Sequence, residues 1–416
     1  MNLAKRRRLS VIRLTRKLFM PPTLSIPKNK RPHAADMCER HNDAFYDPIA
    51  RVLSYLSVTH QRNRFEVDME WLLNRHNYVK VGKSHFSYDK LHYTKIDLID
   101  EVTSLKGRKF FALLSAFHPV KHKNRLSLLT GDVDYQRSIL LRIETDLGFD
   151  AVQNTDSTFS YCRAFLKPIF DYDAFREGKT PVCELDGSHF KWIQKDGQGW
   201  CCGEFIRGLG VKYCVYCNAD GIYSFNLKAR RPLPYASALD HFLPRHLHPY
   251  FALNLCNLVP CCTRCNTSLK GKQETDLISY ASPYYDDLYS AFKVRMARGG
   301  REISKVAGGD VLSLEIRYVP QKIDAHGRVK KLMYELFQWE EVYNAIFRQE
   351  VIDIFLRIRK LTPSFIQWLR KTGLSGVNSD RLLYGCTMRK SEICRYRFAK
   401  VIQDVAERYG GVHLRN

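Results

Sequence analysis

Cys214 and Cys217 form one Cys-x-x-Cys pair, and Cys262 and Cys265 form a second, with 44 residues between them. A Cys-x-x-Cys turn places two thiolates on one side of the chain. Two such turns complete a tetrahedral four-thiolate site, with Zn–S bonds of about 2.3 Å and no open position for substrate. The expected metal is therefore structural zinc. A thioredoxin-like redox role lacks the βαβ context it requires. Between and beside the pairs lie Asp240, His241, Asn257 and Asn266. An imidazole with an ordinary pKa near 6.5 can take a proton from water. Asp240, adjacent in a strand, points to the opposite face and is placed to hold a metal on a different side from the base. Asn266 would give a second oxygen.

Local sequence indicates the elements that position these groups. Leu239–Phe242 reads as a short strand end. Residues 255–259 read as a returning strand ended by Pro260, with a loop over 243–254 between them. The stretch TRCNTSLKGK begins a helix at Thr263 that Gly271 can end. Strand, strand, helix is too small a unit to hold itself together without a metal clip. Cys261 is a rival ligand to the second pair, and Cys201, Cys202 and Cys256 have no assignable role. An aspartate–histidine dipeptide is commonplace, and a histidine on an apolar strand is ordinarily a satisfied core residue. The order of the four residues and their bracketing by cysteines favour the chemical reading.

This pattern resembles the HNH, or ββα-metal, endonuclease family over roughly residues 210–285. The resemblance rests on the DH at 240–241, Asn257 in NLVPCC, CN at 265–266 and both cysteine pairs. The wording DHFLP…NLVP is especially similar to HNH nucleases of bacterial anti-phage systems such as Septu. The resemblance implies hydrolysis of phosphodiesters, mostly of duplex DNA, leaving 5′-phosphate and 3′-hydroxyl ends. His241 is then the general base, Asp240 and Asn266 hold the catalytic ion, and Asn257 hydrogen-bonds across the loop to orient His241. Many members carry histidine where this chain has Asn266. An all-oxygen pair is a harder site, so Mg²⁺ or Mn²⁺ is expected as the catalytic ion. A ribonuclease acting on RNA such as tRNA, and a non-catalytic zinc-stabilised DNA-binding protein, are the alternatives. A regulatory protein partner such as an ATPase would accompany a defence role.

The 416 residues carry a net charge of +23, which favours a polyanionic partner through counterion release. Residues 207–272 hold nine Lys or Arg against two acids. Arg245, Arg264, Lys270 and Lys272 are the candidate phosphate contacts, while His246 and His248 read as loop surface. No apolar run approaches a membrane-spanning length, so no membrane association is expected. Thirteen cysteines, an odd number with four at ligand spacing and no secretory leader, point to a reducing cytoplasm.

The fold expected is α+β: a small ββα-metal domain with a zinc clip over 201–285, flanked by mainly helical segments over 36–200 and 286–416. Residues 1–35 form a basic arm, whose alternatives are a targeting segment or a solvated tail. Within 36–200, Asp47 and Pro48 read as a helix start, Asp134 as a cap of a helix closed by Gly148, and residues 78–95 as a hairpin around Gly82. In the last segment Leu332, Leu336, Trp339, Tyr343 and Ile346 recur at helical spacing. Thr362 and Pro363 restart a helix, Ser391 caps the last one, and Cys386 and Cys394 read as buried thiols.

Overall fold

The computed structural model describes residues 31–410, 412 and 414, except 60, 74–78, 82–84, 89–90, 121–126, 150–156, 195–199, 227–233, 299–300, 303–313, 325 and 373–375. The expected basic arm lies almost wholly outside the described residues, as does Gly82. The architecture is α+β, with many helices and small antiparallel sheets.

The first described helix, Arg31–Val58, runs through Pro48 rather than starting there. A proline inside a helix costs about 3 kcal/mol. Phe45, Tyr46, Ile49, Ala50, Val52 and Leu53 on both sides of it are fully buried. At about 1.5–3 kcal/mol for each large apolar side chain, that burial outweighs the lost bond. The helix Val133–Leu147 is capped by Asp132, not Asp134: the Asp132 carboxylate accepts from the Tyr135 amide at 2.9 Å, and Gly148 closes the helix at φ 66°. The basic, aromatic stretch near residue 85 is a three-stranded antiparallel sheet of Val79–Val81, His85–Tyr88 and Leu91–Thr94.

The segment after residue 286 is not wholly helical. Phe292–Arg298 pairs antiparallel with Leu314–Pro320 and with Arg301–Glu302. The alternation in FKVRMAR and LEIRYVP, with Phe292, Val294, Met296, Leu314, Ile316 and Tyr318 inward, is the period-two signal for these strands. The helical stripe from Leu332 to Ile346 is broken at Gln338, whose φ is 45°, into Lys330–Leu336 and Trp339–Ile346; Ile346 is exposed. Thr362 caps Pro363–Lys371 as its spacing predicts, its hydroxyl accepting from the Phe365 amide at 3.2 Å. Ser391 instead lies within a 3-10 turn, Lys390–Arg395, and the last helix is Ala399–Tyr409. None of the thirteen cysteines forms a disulfide, and Cys386 and Cys394 are buried. The buried apolar side chains form one continuous cluster from Met37 to Val412, so the three segments share a core. No helix among the described residues is long and apolar enough to cross a membrane.

Candidate active site

The two Cys-x-x-Cys turns meet. The four sulfurs of Cys214, Cys217, Cys262 and Cys265 all lie within 4.8 Å of one another, and all four residues are buried. Cys217 Sγ and Cys262 Sγ stand 3.9 Å apart, close to the edge of a tetrahedron with metal–sulfur bonds of about 2.3 Å, which is about 3.8 Å. The cluster is thus able to hold a metal ion such as zinc. Cys261 is not part of it; its thiol points at the Ala238 carbonyl, 3.9 Å away.

The first turn is held from the C-terminal third of the chain. Asn218 takes φ 54°, a conformation asparagine tolerates. Its amide donates to the carbonyls of Ile393 and Tyr396 and accepts from the Lys400 amide. Tyr289 and Tyr343 donate their hydroxyls to the carbonyls of Val215 and Cys217, each at 2.6 Å.

Leu239–His241 pairs antiparallel with Leu258–Pro260, with His241 opposite Leu258. The returning strand is shorter than its sequence reading, because residues 255–257 form a 3-10 turn. Between the strands, Asn257 is fully buried and ties the loop to itself. Its oxygen accepts from the Leu243 amide at 2.6 Å, and its nitrogen donates to the carbonyls of Leu243 and Phe251 at 3.0 and 3.1 Å. The N-terminal third holds the same loop from outside. Asn254 donates to the carbonyls of Leu128 and Gly131, and Leu253 O pairs with His41 Nε2 at 2.8 Å.

His241 is half-buried, with Nε2 3.1 Å from the Ala252 carbonyl. A carbonyl only accepts, so Nε2 carries the hydrogen and Nδ1 keeps a lone pair. Burial, reinforced by the charges of Arg245 and Lys270, pushes this imidazole down to about 3. Its ring meets Tyr172 edge-on at 4.6 Å. Arg245 lies 5.8 Å above the Tyr172 ring, is half-exposed, and pairs with the exposed Asp173 at 3.4 Å. Lys167 joins this group: burial and the charge of Arg245 push its ammonium down to about 7. Tyr172, Asp173 and Lys167 have no motif around them. They reach the site only because the segment before residue 200 packs on the loop.

On the other face of the strand, Asp240 is buried with both oxygens engaged. Oδ2 accepts from the Tyr216 hydroxyl at 2.7 Å and Oδ1 pairs with the Lys270 ammonium at 2.7 Å. Lys270 also donates to the carbonyls of His241, at 2.6 Å, and Phe242, at 3.3 Å. The expectation of Lys270 as a surface phosphate contact is therefore corrected: it is buried, its charge satisfied by Asp240. Arg264 is corrected in the same way, being paired with Asp220 at 3.2 Å and lying over the Phe347 ring at 5.0 Å. Lys272 and Arg245 remain exposed. His246 is exposed and pairs with Glu274, but His248 is buried against the Tyr250 hydroxyl at 3.0 Å, not on the loop surface.

Asn266 lies in Arg264–Lys270, a π-helix that ends at Gly271 with φ 52°. The side chain of Asn266 is half-buried and has no hydrogen-bond partner among the described residues. The oxygens of Asp240, His241 and Phe242 that converge on Lys270 are hard donors, the chemistry Mg²⁺ or Mn²⁺ takes. Comparison with protein-family models, curated proteins and solved structures finds no match to this chain.

Proposed function

We propose that the chain is an HNH-type, metal-dependent endonuclease that hydrolyses phosphodiesters of duplex DNA, with zinc in the four-cysteine cluster. The observation that carries the reading is the state of His241. Its Nε2–H is anchored on Ala252 O, its Nδ1 lone pair is left for a proton, and Arg245 stands beside it. His241 accepts the proton of the attacking water at Nδ1. Its depressed pKa keeps it neutral at working pH, and the negative charge of a bound phosphate raises its proton affinity as substrate arrives. Arg245 faces that phosphate with positive charge, Lys167, held at about 7, takes up its proton as the anion arrives, and Tyr172 packs the edge of the imidazole. Asn257 keeps Ala252 O and the rest of the loop in register, so that the ring cannot turn. Asp240 and Asn266 are the residues that would hold Mg²⁺ or Mn²⁺, which when bound offsets charge at the phosphate and leaving oxygen. The surplus of +23 and the exposed Lys272 suit a polyanion. The anti-phage setting and a regulatory ATPase partner rest on the resemblance alone.

The test is purified protein with plasmid DNA, and separately with tRNA, in Mg²⁺. Cutting of plasmid is expected. His241→Ala should lower its rate by about 10²–10⁴-fold, the contribution of a positioned general base, with DNA affinity and bound zinc unchanged. Cleavage of tRNA alone would move the reading to a ribonuclease. A His241→Ala protein that cuts at the wild-type rate would remove it.

A further inference from the structure

Asp240 Oδ1, His241 O and Phe242 O converge on one positive charge, the ammonium of Lys270, at 2.7, 2.6 and 3.3 Å. An ammonium has three hydrogens to donate, and here three oxygens receive them. Both partners are closed off from water, each side chain being 4% exposed. The second oxygen of Asp240, Oδ2, accepts from the Tyr216 hydroxyl at 2.7 Å. Oδ1 is the carboxylate oxygen that faces a cation, and the chain itself supplies that cation. Lys270 sits four residues beyond Asn266 in one helix, with the side chain of Asn266 unengaged.

We infer that Lys270 is a tethered counter-ion that competes with the catalytic divalent ion for Asp240. This rests on the nuclease reading above and adds what governs metal occupancy. In the metal-free protein the ammonium neutralises a carboxylate too buried to stand charged alone. A divalent ion takes Oδ1 only when Lys270 withdraws. The four-carbon stem of lysine lets it do so without moving the helix. The phosphate of the substrate is the natural second anion for the released ammonium, so DNA and metal favour each other's binding. Lys270 acts through Asp240, as a positioning residue.

The test uses full-length, zinc-loaded protein and Mn²⁺ as probe. Lys270→Met keeps the length of the side chain and removes the charge. It should bind Mn²⁺ about tenfold tighter than wild type, within the usual range of coupling between two ligands. Equal or weaker binding by a folded Lys270→Met overturns the inference. A second measurement needs no variant. Acylation of lysines read by mass spectrometry should find Lys270 protected in metal-free protein and reactive after Mn²⁺ addition, with the exposed Lys272 as internal reference. This reading decides the matter if Lys270→Met does not fold. Mn²⁺ binding that leaves Lys270 unreactive overturns the inference and leaves the nuclease reading standing. Absence of Mn²⁺ binding in both proteins overturns the inference together with the metal-dependent part of that reading.

Discussion

Residues of one chemical type do different work in this site according to where their charge ends. Arg245 and Arg264 are both guanidinium groups near the hairpin. Arg245 is half-exposed and, among the described residues, its only ion pair is to the exposed Asp173; such a pair contributes about 0–1 kcal/mol and gives way easily. Arg264 is packed between Asp220 and the Phe347 ring. The two should therefore separate under mutation. Arg245→Ala should weaken DNA binding and lower the salt slope of the binding constant by about one, with the melting temperature nearly unchanged. Arg264→Ala should lower the melting temperature and leave the salt slope where it was. Titrations of each variant at several salt concentrations, paired with thermal melts, check both. A reversal of the two patterns would mean that the phosphate path crosses the Phe347 side of the molecule instead. Asn257 shows the same logic for a neutral group: three hydrogen bonds to one loop make it a positioning residue, with no atom left for substrate.

Among the elements, the four-cysteine clip is gripped by groups far from it in sequence. Cys217 O receives Tyr343, Val215 O receives Tyr289, and Tyr216 lies flat on Phe337 at 3.9 Å while its hydroxyl holds Asp240. Stripping the metal should thus loosen more than a turn. With a strong chelator, hydrogen exchange is expected to rise first at 213–220 and 258–271, then at 339–346, with cleavage lost and the helix 31–58 still protected. Uniform protection after metal removal would show that the tyrosines alone hold these elements. Much of this unit was legible beforehand because metal ligation and turn geometry leave local marks: paired cysteines, a strand ending in DH, a glycine where the helix stops. The clamps on it were not legible. Asn218, Tyr289, Tyr343 and His41 act across distances in sequence that no local pattern encodes. Pro48 misled because burial on both sides of it overrides the local rule. The sheet of 292–320 carried a period-two alternation that the neighbouring helical stripes obscured.

At the scale of the whole molecule, the shared core also fixes how stability responds to acid. His41, His118 and His248 are buried, and burial pushes their imidazoles down to about 3, 4 and 3. His41 shows why charge is refused. Its Nδ1 accepts from the Trp200 indole at 2.8 Å while Nε2 donates to Leu253 O, and a second proton would break the first bond. The unfolded chain titrates these rings near 6.5, so below that pH it binds protons that the folded chain does not. Stability therefore rises with pH through this range, and it falls as pH drops from 6.5 toward 4. Each ring contributes about 1.4 kcal/mol per pH unit, or roughly 4 kcal/mol per unit for three, against a total of about 5–15 kcal/mol for a typical folded domain. Chemical denaturation from pH 8 to 4.5 should be shallow above pH 7, where Lys167 contributes, and steep below 6, where these three rings and His241 take up about four protons on unfolding and Asp220, raised to about 6 in the folded protein, offsets about one. Thiolates also take up protons as a metal leaves, so released zinc is followed in parallel with a colour indicator. Unfolding near pH 5.5 that takes up almost no protons would place these rings in contact with water and undo the account of the N-terminal third as a closed support for the loop.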